Sequence, residues 1–149
     1  MYNFSRSSAE NLDKADSKLQ IVLIKAIKYV DFSIVYTFRT PQEQFELYKK
    51  GREERDGHYI IVKPNDVVTQ LDGITKKSKH NMYPSQAFDF MPYPLSNNSK
   101  IQIEQYCYIA GIMKAIALEN NIKIRWGRDW NNDNNFDNEK FLDYAHFEL

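Results

Sequence analysis

Residues 32–51, FSIVYTFRTPQEQFELYKKG, leave the chain little freedom of local structure. FSIVYTF is rich in β-branched and aromatic side chains and reads as a strand. Directly after it, Thr40 offers an N-cap, Pro41 suits the first helical position, Glu43 closes a capping box and Gly51 terminates the helix. A strand must therefore turn into a helix at Arg39. That junction presents a guanidinium from rigid backbone on both sides, and its planar fork suits a carboxylate. A surface arginine in a salt bridge is the plainer reading of the same residue. Gln44, on the following helix, is expected to brace the Arg39 turn.

The rest of the chain supplies partners for this unit. Residues 17–30 place Leu19, Val22, Leu23, Ala26, Ile27 and Val30 on one helical face, and residues 100–119 do the same with Tyr106, Ile109, Met113, Ile116 and Ala117. QAFDFM, IKIRW and YAHFEL are the remaining strand candidates. Residues 52–77 read as a long, mostly irregular excursion with one extended stretch at YIIVK. Helices packed around a small antiparallel sheet make an α+β fold. No internal repeat or Ser/Gly linker divides it, so residues 1–149 are expected to form a single domain. A chain of this size can remove roughly 68–70% of its unfolded surface from water.

Charge narrows the function. Twenty Lys and Arg balance twenty Asp and Glu, so the long-range field that gathers nucleic acid or anionic lipid is missing. No apolar run approaches the ~20 residues of a membrane span, and no leader opens the chain. An extracellular role would then need another protein to release it. The single cysteine, Cys107, lies in EQYCYIAGIMKAIA, which reads as helix; a buried thiol is expected there, and the lack of a disulfide partner fits a reducing cytoplasm.

SKHNMYPSQAFDF, residues 78–90, sets His80 ahead of Asp89 across a turn-forming Tyr-Pro-Ser. Alone, the pair does not separate a metal site from a surface loop beside a strand. The carboxy-terminal LDYAHFEL adds Asp143 and His146, so two of three histidines now sit beside carboxylates in apolar, strand-like surroundings where an unpartnered polar group is costly. The third, His58, reads as surface. Zinc hydrolysis wants this set: a catalytic zinc takes three nitrogen or oxygen ligands and leaves a position for water. His80, Asp89 and His146 supply three ligands, and Asp143 is left to accept a proton from water and pass it to a leaving amine.

SKHNMYPSQAFD resembles the Ser-x-His…Ala-x-Asp signature of the M15 zinc peptidases, the family of D-Ala-D-Ala carboxypeptidases and dipeptidases and of phage L-alanyl-D-glutamate endolysins. DYAHFEL is similar to that family's closing Asp-x-x-His, TFRTPQEQFELYKKGR to the helix start of its phage branch, and RWGRDW to that branch's Trp-Gly-Gly-Asp-Trp. With FSRSSAENL included, the resemblance covers nearly the whole chain. It implies one zinc per chain on His80, Asp89 and His146, with Asp143 as catalytic base. It also implies that Arg39 stabilises the oxyanion or anchors a substrate carboxylate, and that Ser78 lies against the bound peptide. The implied activity is a zinc-dependent endopeptidase cutting the L-Ala–D-Glu bond of the peptidoglycan stem peptide, a monomer without nucleic-acid partner or membrane insertion. Such an endolysin is made in the cytoplasm and reaches the wall through a holin-type pore. A D-Ala-D-Ala carboxypeptidase or dipeptidase is the alternative in the same class, and a non-catalytic zinc-containing module that binds wall peptide or protein is the alternative outside it. The spare carboxylate of Asp143 argues against the silent module, since structural zinc needs none.

Two features depart from the family pattern. MYPS lengthens the loop between His80 and Asp89, and Arg128 stands where the phage branch usually has a second glycine; a turn needing positive φ there would be strained. Finally, Asp129, Asn131, Asp133, Asn135 and Asp137 alternate as in a calcium loop, but Asn134 replaces the glycine at the sixth position and Lys140 the glutamate at the twelfth. The segment 129–140 is thus a candidate Ca2+ loop or an Asn/Asp-rich solvated one.

Overall fold

A computed structural model describes residues 1–149. Two short helices come first, α1 (Arg6–Leu12) and α2 (Ser17–Ala26), followed by β1 (Phe32–Tyr36) and α3 (Pro41–Lys49). The Thr40/Glu43 capping box forms as read, and Gly51 just past the helix adopts φ +75°. A hairpin of β2 (Arg52–Arg55) and β3 (His58–Ile61) leads into a long loop. Then come β4 (Ala87–Pro92), α4 (Ser99–Glu119), β5 (Arg125–Trp126) and β6 (His146–Glu148). The main sheet has the order β1-β4-β6-β5 and every pairing in it is antiparallel, which makes the fold α+β.

Alternation along the strands decides which face carries chemistry. Phe88 and Phe90 of β4, Phe147 of β6 and Trp126 of β5 turn inward, where Phe147 stacks between Phe88 and Trp126. Leu19, Val22 and Leu23 of α2 and Ile109 and Met113 of α4 complete this core. The other face of the same strands then holds Asp89, His146, Glu148 and Arg125. Asp89 lies directly opposite His146, and Arg125 opposite Glu148.

The structure differs from the sequence expectation at two places. Cys107 is exposed rather than buried, because Ile109, Met113 and Ile116 define the inward face of α4 and a residue two before Ile109 points away from it. Residues 52–61 are a regular hairpin rather than an irregular excursion; its turn is Asp56-Gly57, both at positive φ, and an Asp-Gly dipeptide is the usual signal for such a turn. Ser5 caps helix α1 by accepting from the amide of Ser8.

Candidate metal centre

His80 reaches the site from a single 3-10 turn, Lys79–Asn81, that lies against the end of β1. Its Nδ1 donates to the Thr37 carbonyl at 2.6 Å, and the Arg39 amide donates to the His80 carbonyl at 2.9 Å. The MYPS insertion is anchored beneath this turn: Ser85 is fully buried, its amide donates to the Lys14 carbonyl and its carbonyl accepts from Asp16. The longer loop therefore leaves His80 and Asp89 on the same side of the sheet.

Three ligand-type atoms converge there. His80 Nε2 lies 3.2 Å from His146 Nδ1, which lies 3.0 Å from Asp89 Oδ1, and the third side, His80 Nε2 to Asp89 Oδ1, is 3.4 Å. A tetrahedral shell with bonds of about 2.0–2.2 Å spaces its ligand atoms about 3.3–3.6 Å apart, so a small expansion of this triangle accommodates a metal ion. The proton inventory favours one as well. A carbonyl can only accept, so His80 Nδ1 carries the proton and a neutral ring turns its Nε2 lone pair inward. The donor set of two imidazoles and one carboxylate suits zinc.

Charge at the centre is tightly coupled. Burial would lower His146, but hydrogen bonds with Asp89 and Glu148 push it up to about 9 in the metal-free protein. Burial would likewise raise Asp89, yet hydrogen bonds with His146 and His80 hold it far below the usual carboxylate range. Asp143 behaves differently: burial, and then the negative charge of Asp89, raise its carboxyl above the ordinary value. A cation among the three converging atoms would reverse that shift and favour the anion a base requires.

Asp143 is held by backbone. Its amide donates to the Gly127 carbonyl at 2.8 Å, and the Gly127 amide donates to the His146 carbonyl at 2.9 Å. A Cβ at position 127 would lie 2.3 Å from the Asp143 carbonyl oxygen, so only glycine lets the two segments approach this closely. Arg128 is not at positive φ and shows no strain; its guanidinium packs over the rings of Phe136 and Tyr144.

The converging atoms open into a cleft of about 840 Å³ that also holds Arg39, Ser78 and Asp143. Arg39 donates from Nη1 to Gln44 Oε1 at 3.0 Å and from Nη2 to Asp89 Oδ2 at 3.4 Å. Gln44, 1% exposed, in turn donates to the Leu71 carbonyl and accepts from Ser78 Oγ, so it braces Arg39 as expected and ties it to the far wall. His58 lies away on the exposed hairpin. In the Asn/Asp-rich loop, Asp129 is fully buried and its carboxylate takes the Lys114 ammonium at 2.7 Å, with Asn134 Oδ1 3.2 Å from the same nitrogen. A calcium ion held by Asp129 would have to displace that lysine.

Sequence reasoning missed Glu148, Arg125 and Trp130, all of which line the cleft. The signal for Glu148 was present: in a strand, positions 146 and 148 share a face.

Compared with known families, residues 1–149 match the model described as phage L-alanyl-D-glutamate peptidase. Among solved structures, the chain is similar to the L-Ala D-Glu endopeptidase ChiX of Serratia marcescens, with a TM-score of 0.65 and 24% identity. The match covers 99% of this chain and 90% of that one. At that identity the likeness is one of fold. No curated protein matches the chain.

Proposed function

The chain belongs to the phage L-alanyl-D-glutamate peptidase family, and from that premise we propose that it is a zinc-dependent endopeptidase cutting the L-Ala–D-Glu bond of the peptidoglycan stem peptide. The observation that carries this reading is the convergence of His80, Asp89 and His146 within one cleft beside the buried, unligated carboxylate of Asp143.

In this reading His80, His146 and Asp89 would hold the metal. Bound zinc would supply Lewis-acid chemistry, lowering the pKa of a water toward ~7. Asp143 takes the proton from the attacking water and delivers it to the departing D-Glu amine. Arg39, fixed by Gln44 and Asp89, offers its remaining N–H groups to the oxyanion or to a substrate carboxylate, and Ser78 lines the peptide's path. Residues 1–149 work as one monomeric zinc peptidase domain. No helix is long and apolar enough to cross a membrane, and the domain reaches the wall through a pore made by another protein.

Digestion of purified peptidoglycan with mass analysis of the fragments tests the assignment. New N-terminal D-Glu ends are expected. Release of free D-Ala would instead identify a carboxypeptidase, and no cleavage by zinc-loaded protein would identify a binding module.

A further inference from the structure

We propose that Glu148 is a positioning residue that fixes the His146 ring so that Nδ1, rather than Nε2, is its metal-binding atom. The inference rests on the reading that a metal sits among His80, Asp89 and His146. Strand alternation puts Glu148 on the same face as His146, and its Oε2 lies 3.1 Å from His146 Nε2. A carboxylate accepts, so Nε2 carries a proton; the metal-free ring donates from Nδ1 to Asp89 as well, and a metal that takes the Nδ1 lone pair in place of that proton would leave a neutral imidazole whose one proton Glu148 keeps on Nε2.

The carboxylate is itself held. Glu148 is buried, and Arg125, opposite it in the β5–β6 register, pairs with its other oxygen from Nε at 3.0 Å and also from Nη2. Trp130 covers the His146 ring face with centroids 5.4 Å apart, and Arg125 lies over the Trp130 ring. The two histidines are thus oriented by different means. A backbone carbonyl, Thr37, fixes His80, and no substitution removes it. The partner of His146 is a side chain and can be deleted.

Zinc affinity, measured by competition with a chelator on the folded protein, provides the test. Loss of such an outer hydrogen-bond partner typically weakens metal binding 10–100-fold, and that range is expected for Glu148→Ala. Glu148→Gln still presents an amide oxygen to Nε2 and should recover most of the affinity. Arg125→Ala removes the ion pair but leaves Glu148 beside His146, so its effect should be smaller than that of Glu148→Ala. Long-range 1H–15N spectra of the zinc-loaded wild type should show the His146 proton on Nε2.

Wild-type affinity in Glu148→Ala would overturn the proposal, as would equal losses in Glu148→Ala and Arg125→Ala, which would mark a purely structural salt bridge. If Glu148→Ala does not fold, the glutamine and Arg125 variants decide: wild-type-like zinc binding by Glu148→Gln together with a proton on Nε2 supports the role, and a proton on Nδ1 overturns it. A wild type that binds no zinc would bring down the metal reading itself, a result distinct from all of these.

Discussion

The two sides of the cleft are built differently. On one side Asp89 and His146 face each other across β4 and β6, backed by Phe88, Phe90 and Phe147, which are wholly buried. On the other, residues 52–77 form a separate two-stranded hairpin and a loop whose side chains are mostly exposed. A hairpin of two strands is marginal by itself. This one is attached by a few polar brackets: Gln44 to the Leu71 carbonyl, and Arg52 to Gln70 Oε1 at 2.7 Å while it packs on the Tyr48 ring. Two of the three converging side chains stand on core-backed strands and His80 on a turn bonded to the end of β1, whereas the wall formed by residues 52–77 hangs on replaceable contacts.

Substitutions should respect that division. His80→Ala and His146→Ala are expected to lose both the metal, normally about one zinc per chain, and all turnover; elemental analysis showing full zinc in both variants would remove the ligand assignment. Next in size, Asp143→Asn should keep the fold and the zinc and bind substrate nearly as well, with kcat lower by about 10²–10⁴-fold. Turnover close to normal would show that Asp143 is not the base.

On the hairpin side the effect should move from kcat to KM. Arg52→Ala deletes a buried hydrogen-bonding group and is expected to cost about 1–3 kcal/mol of stability, to expose residues 62–77 to limited proteolysis and to raise KM, with zinc content and kcat little changed. A large fall in kcat would erase the distinction between the two sides. Smallest is the response to calcium. A site of ~1 mM affinity in residues 129–140 would give about 1.4 kcal/mol at ~10 mM calcium, roughly 3–6 °C in Tm. Displacement of Lys114 from Asp129 should reduce that figure further. A shift seen in the wild type and absent in Asp133→Ala would support the calcium loop, and a flat titration would remove it.

The difference between the sides also governed what could be read from sequence. β1, β4 and α3 announced themselves through β-branched runs and a full set of capping residues, and the core faces of α2 and α4 through helical spacing. His80, Asp89, Asp143 and His146 were legible because rare side chains clustered beside apolar strands. For Glu148 strand alternation gave the face but not the partners, since a glutamate there looks solvent-facing until the register sets Arg125 beside it and His146 within reach. REER in β2 carries no strand signal, and only its turn residues give the hairpin away. For Cys107 the helical context and the usual burial of cysteine pointed inward, yet the thiol lies off the face that Ile109, Met113 and Ile116 define and is exposed.

The hydrogen bonds that join Gly127 to Asp143 and to His146 have one more consequence. They clamp together the two ends of the segment 128–142, so Asp143 is stitched to the sheet at the point where that segment returns. Loop-closure entropy grows slowly, by only about 0.6 kcal/mol for each doubling of length. Trp130 and Phe141, carried by this segment, both face the cleft. The exposed tip of the segment, residues 131–138, is therefore its exchangeable part: a stretch of different length or composition could be accommodated there while Asp129, Trp130 and the Gly127–Asp143 pairing stay in place.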